Sequence, residues 1–179
     1  MKIQTVYLDL DGVVAFFDKR WMELFNETPG SSRNRKNFSP NWDTFIANRN
    51  FASLDLFPGG ETLLEYIRSI DKQVNVEILS SSGGKKYHNE VSEQKHEWLN
   101  NLGVKYVRNF VPGRALKRNY ATPDSILVDD TEDVIEGFRD AGGIGILHTD
   151  ANETIELLKG YLNEGTSYNP MLRQTDVVS

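Results

Sequence analysis

Five short apolar runs, at 3–8, 74–79, 104–107, 126–128 and 144–147, constrain this chain more than any other feature. Several are apolar at consecutive rather than alternate positions, as strands covered on both faces tend to be. Helical periodicity fills the intervals. One stripe carries Leu63, Leu64, Ile67 and Ile70, and a second Tyr87, Val91, Trp98 and Leu102. A third carries Val134, Ile135, Phe138 and Ala141, and a last one Ile155, Leu158 and Leu162. Gly103 and Gly142 stand where two of these helices should stop. Strands alternating with helices predict an α/β fold, a Rossmann-like three-layer sandwich around a central parallel sheet of about five strands.

The first crossover breaks the rhythm. From Leu8 to Val74 the chain advances 66 positions, whereas a strand–helix–strand unit needs about 30. The excess holds a helical pattern over 17–25, the loop TPGSSRNRKNFSP and the aromatic-rich NWDTFIANRNF. A structureless loop of that length is rare inside a compact domain, so a small helical cap inserted after the first strand is expected. The expected division is an α/β core of 1–14 and 58–163, a cap of 15–57 and a C-terminal tail of 164–179.

The 179 residues suit one domain. No apolar run approaches the roughly 18 residues of a membrane span. No secretory h-region follows Met1, so the expected location is cytoplasmic. The absence of cysteine excludes disulfides and zinc–thiolate sites. A net charge of −6 argues against extended nucleic-acid binding. A homodimer is compatible with all of this.

Polar groups gather where the apolar runs end: Asp9 and Asp11 after the first, Ser80 after the second, Asp129 and Asp130 after the fourth. Lys117 lies between the third and fourth. The carboxyl ends of parallel strands are where such sheets bind ligands. Carboxylates packed that closely repel, and a hard divalent cation such as Mg²⁺ relieves the repulsion. Each residue has a plainer reading. A strand-end Asp serves as a turn or cap, Asp130 and Thr131 can cap a helix starting near Glu132, and Lys117 beside Arg114 and Arg118 can be solvated. His88, His96 and His148 read as surface or helix-face residues, and the basic loop at Arg33, Arg35 and Lys36 as solvated.

Taken together and in this order, VYLDLDGVV, VEILSSS, Lys117 and ILVDDTED resemble the haloacid dehalogenase-like (HAD) phosphohydrolases. DGVVAFF, LFPGGETLLEYI and KKYHNEVSEQKHEWLNNLG are similar to stretches of the 5'(3')-deoxyribonucleotidases within them. Ser80-Ser81-Ser82 departs from the Thr-Ser-Pro usual there, and the cap matches loosely.

The resemblance implies a phosphomonoesterase. Asp9 is then the nucleophile that forms an aspartyl-phosphate, and Asp11 the general acid and base. Ser80 and Lys117 hold and neutralise the phosphoryl group. Mg²⁺ sits among the Asp9 carboxylate, the Asp11 backbone carbonyl and Asp129, with Asp130 and Asp133 orienting its waters. Phe17, Ser81, Trp42 and Phe45 are the expected substrate contacts, and Phe57 is a further aromatic candidate. The implied substrate is a nucleoside monophosphate, a small phosphate ester. Another small ester, a DNA 3'-phosphate and a catalytically silent binding module of the same fold are the alternatives. A phospho-accepting receiver domain needs an acceptor Asp after the third strand, and VKYVRNFVPG has no acid.

Overall fold

In the computed structural model, residues 1–32 and 36–164 are described. Strands β1 (Thr5–Leu8), β2 (Asn75–Ser81), β3 (Val107–Val111), β4 (Ser125–Asp129) and β5 (Ile144–Leu147) form one parallel sheet in the order β3-β2-β1-β4-β5. The consecutive apolar positions have the cause expected: the sheet is covered on both faces, and β4 is buried at every residue. On one face Leu79 and Leu127 pack against Val134, Ile135 and Phe138 of helix α6 (Glu132–Asp140). On the other, Val6, Leu8, Ile78, Ile126 and Val128 join a larger cluster. That cluster includes residues of α4 (Gly60–Ile70), α5 (His88–Asn101) and α7 (Ala151–Glu164).

The third strand departs from expectation. It spans Val107–Val111, not 104–107. Val104 is buried as a loop residue, whereas Val107 is 60% exposed at the start of an edge strand. With only one neighbour to pair, β3 lacks the continuous buried pattern of the central strands, and apolarity alone pointed a few residues too early.

Between β1 and α4 lie α1 (Phe17–Phe25), α2 (Pro29–Ser32), α3 (Phe38–Ala47) and a 3-10 helix, Asn50–Ser53. Their interior is aromatic: Trp21 and Phe45 have no exposed surface, and Phe51 has 3%. This segment docks on α5 through buried polar pairs. Gln94 accepts from the Phe51 backbone N–H at 3.2 Å and donates to the Ile46 carbonyl at 2.9 Å. Trp98 Nε1 donates to the Leu54 carbonyl at 2.7 Å. Each group leaves water only because it finds a partner. Arg33, Arg35 and the tail beyond Glu164 lie outside the described residues, and Lys36 is exposed.

The sheet order sets the site. The chain leaves central β1 toward β2 and β3, then crosses back to β4 on the other side. The carboxyl ends of β1 and β4 therefore flank the switch point, where such sheets open a crevice.

Candidate active site

Strand alternation decides which side chains share that crevice. Tyr7, Leu79 and Leu127 all belong to the apolar cluster on the α6 face. Two residues further along each strand come Asp9, Ser81 and Asp129, carried to the same face by the period of two. A cavity of about 800 Å³ opens there, lined by Asp9, Asp11, Ser81, Lys117, Asp130 and Thr131. Ser80 is one residue out of phase. It has no exposed surface and lies on the other side of β2, so Ser81 is the hydroxyl at the cavity and the expectation for Ser80 is corrected.

Lys117 sits on the 3-10 helix Arg114–Tyr120 and is 3% exposed. Its Nζ is 3.0 Å from Asp9 Oδ1 and donates to Asp129 Oδ2 at 2.6 Å. Burial alone pulls this ammonium down, but the two carboxylates outweigh it and hold its pKa above the usual lysine value. The pKa of Asp129 is raised to about 6, by burial first and then by the charge of Asp9, against the pull of Lys117. Asp130 is raised as well, by partial loss of hydration and by the charges of Asp9 and Asp129. Oxygens of Asp9, Asp129 and Asp130 lie within 4.8 Å of one another. Three converging carboxylates, two raised toward their neutral form, match the oxygen donor set and charge deficit of a divalent-cation site.

Gly12 makes the crowding possible. Its φ is +79°, and a Cβ there would lie 1.9 Å from Asp130 Oδ2. The turn after β1 thus needs glycine both for conformation and for room. Thr131 N–H donates to Asp129 Oδ1 at 3.0 Å, fixing that carboxylate at the start of α6. Asp133 stands apart from the acid cluster: its carboxylate accepts from Arg114 at 2.9 and 3.1 Å, and its side chain is 59% exposed. The structure pairs it with Arg114, a half-exposed residue at the cavity edge, rather than with the acid cluster.

The far wall of the cavity is aromatic, formed by Phe17, Phe38, Trp42 and Phe51. Phe17 stacks on Phe51 at 5.5 Å, and Trp42 meets Phe51 edge-on at 5.7 Å. Gly83, with φ +81°, lets Trp42 reach the loop after β2, where a Cβ would fall 2.6 Å from Cζ2. Phe45 is corrected: with no exposed surface it is sealed inside the helical segment and has no face for a ligand. Phe57 packs on Phe16 and His148 instead of lining the cavity. His148 is not a surface residue either. It is 4% exposed behind β5, its Nδ1 paired with Thr154 Oγ1 at 2.7 Å.

No family model matches this chain, and no curated protein does. Solved structures do share its architecture. A hydrolase from Streptococcus pneumoniae TIGR4 is 18% identical, with 89% of this chain and 100% of that chain covered and a TM-score of 0.53. The HAD-hydrolase YfnB from Bacillus subtilis, solved bound to magnesium, is 13% identical; 91% of this chain and 100% of that chain are covered, with a TM-score of 0.59. The fold is that of the HAD hydrolases. In this chain Asp9 and Asp129, at the ends of β1 and β4, meet Lys117 of the 3-10 helix that precedes β4.

One buried cation escaped the sequence reading. Lys95 of α5 is 2% exposed, and its Nζ donates to Asp11 Oδ2 at 2.7 Å, Ser80 Oγ at 2.7 Å and the Ser81 carbonyl at 2.9 Å. A signal was present. Gln94 and Lys95 fall on the buried stripe that also holds Val91 and Trp98, at helical spacings of three, four and seven. Two polar residues on the apolar face of a helix call for buried partners.

Proposed function

We propose that this chain is a Mg²⁺-dependent phosphomonoesterase of the HAD type that acts through an aspartyl-phosphate. The favoured substrates are nucleoside monophosphates, as for a 5'(3')-deoxyribonucleotidase. One observation carries the reading. The Asp9 carboxylate lies at a cavity floor between Lys117 and two further acids, with Ser81 and an aromatic wall around the same space.

In the first half-reaction an Asp9 oxygen attacks phosphorus, and the bond from phosphorus to the ester oxygen breaks. Asp11 gives its proton to the departing alkoxide. Lys117 balances negative charge that moves from Asp9 onto the phosphoryl oxygens, and the Ser81 hydroxyl and neighbouring loop amides orient one of them. In the second half, Asp11 takes a proton from water as the water's oxygen attacks phosphorus. The bond from phosphorus to Asp9 then breaks, releasing inorganic phosphate and restoring both aspartates. Asp9, Asp129 and Asp130, with the Asp11 carbonyl, are the groups to hold Mg²⁺, which supplies Lewis-acid neutralisation of the phosphoryl charge when bound. A nucleoside fits the aromatic wall because the partly exposed Phe17 and Trp42 offer ring surface for a planar base, with Phe51 packed behind them. The proposed setting is the cytoplasm; among the described residues no helix is long and apolar enough to cross a membrane.

The test is phosphate release with Mg²⁺ from nucleoside 5'- and 3'-monophosphates, sugar phosphates and a 3'-phosphorylated oligonucleotide, with Asp9→Asn as control. Turnover is expected for nucleotides, lost in Asp9→Asn and lost reversibly in EDTA. An Asp9→Asn protein that still turns over above blank overturns the chemistry. A preference for sugar phosphates overturns only the nucleotide assignment.

A further inference from the structure

The contacts of Lys95 reach beyond that chemistry. The ammonium is fixed at three points, and all three belong to the motifs at the ends of β1 and β2. It also sits 5.1 Å from the centroid of the Phe51 ring on the aromatic wall. The lysine stem rises from a helix whose neighbouring Gln94 and Trp98 are themselves pinned by buried hydrogen bonds. Nζ therefore has little freedom to move. Of the Asp11 carboxylate, Oδ2 accepts from Lys95, whereas Oδ1 is buried and makes no hydrogen bond. The Asp11 side chain as a whole is 30% exposed and lines the cavity, so the ammonium grips a carboxyl that a substrate can reach.

We infer that Lys95 is a positioning residue: by holding Asp11 Oδ2 it fixes the orientation of the carboxyl at the cavity, where the ester oxygen would arrive. This rests on Asp11 being the acid and base of the proposed reaction. The same ammonium ties Ser80 and the Ser81 carbonyl, so the end of β2 and the turn after β1 keep one fixed separation. A merely structural lysine predicts a loss blind to the leaving group. A positioning lysine predicts a loss that follows the demand for a proton.

The experiment compares kcat/KM for p-nitrophenyl phosphate and phenyl phosphate, esters of similar shape with a good and a poor leaving group. Lys95→Met is expected to lower the phenyl phosphate value about tenfold more than the p-nitrophenyl value, less than the roughly hundredfold or more of a whole general acid because Asp11 itself remains. In an Asp11→Asn background the further change from Lys95→Met is expected to be less than about twofold, because groups acting as one unit are not additive. Equal losses on both esters overturn the inference, as does a full additional loss in the Asp11→Asn background. If Lys95→Met does not fold, the charge-neutral double variant supplies the readout against Asp11→Asn. A double variant that fails to fold where Asp11→Asn folds also overturns it. Wild-type protein inactive on both esters under Mg²⁺ would instead defeat the phosphatase reading itself.

Discussion

Lys117 and Asp129 share a hydrogen bond of 2.6 Å between a lysine and a carboxylate that are 3% and 1% exposed. Asp9 Oδ1 lies 3.0 Å from the same nitrogen, so a single ammonium clasps the ends of two adjacent strands. Deleting one member of a buried ionic group strands the others without compensation. Lys117→Met is therefore expected to cost about 3–5 kcal/mol of unfolding free energy in EDTA, and less once Mg²⁺ is added. Urea titration of both proteins measures it; a loss no larger than that of a surface lysine would contradict the burial argument.

Asp129 gives the pH dependence a definite sign. Its folded pKa is about 6, against about 3.9 for an unfolded aspartate. The folded state thus binds this proton more tightly, and the group opposes folding increasingly as pH rises through about 4 to 6. A cation that binds the carboxylate removes that opposition. Saturating Mg²⁺ is expected to raise Tm more at about pH 7.5 than at about pH 5. Calorimetry at the two pH values decides, and equal gains would detach Asp129 from the metal.

Phe45 and Trp42 separate stability from recognition. Phe45→Ala empties a sealed core position and is expected to cost about 3–5 kcal/mol. Trp42→Ala removes a partly exposed wall residue, so a smaller stability loss is expected with a clear rise in KM for nucleotides. Denaturation and steady-state kinetics on both variants form the comparison. A Trp42→Ala enzyme with unchanged nucleotide KM would remove that ring from the substrate site.

Gly12→Ala probes the crowding beside the acids. The left-handed backbone itself costs a side chain about 1–2 kcal/mol, and the added carbon cannot coexist with Asp130 where it stands. The variant is expected to bind Mg²⁺ at least about tenfold more weakly, a loss of about 1.4 kcal/mol. Titrating Tm against Mg²⁺ reads this directly, and an unchanged midpoint would show that Asp130 is not a ligand.

Asp9 and Asp129 were legible because they stand at the ends of buried strands, where position along the chain and position in space agree; Lys117, on the 3-10 helix before β4, was legible only through its place in the order of motifs. Ser80 and Ser81 differ by one residue, and strand parity flips with each step, so a tract of serines carries no phase of its own. The paired geometry of β1, β2 and β4 supplies that phase. Lys95 hid for the opposite reason. A long polar side chain on a helix reads as solvated until the partners of its ammonium, Asp11, Ser80 and Ser81, are brought beside it by the sheet. Edge strand β3 and the aromatic order of the helical segment depend on tertiary packing in the same way, which local periodicity does not encode.

The chain's three tryptophans all sit at the helical segment or beneath it. Trp21 is sealed inside it, Trp42 meets Gly83 across the cavity, and Trp98 is tied to Leu54. The sheet itself contributes no indole. Tryptophan emission, excited apart from the tyrosines, is therefore an optical channel for the helical segment and its seat on α5, with no reporter in the strands. A ligand settling against Trp42 announces itself as a change in colour or brightness before any bond is broken.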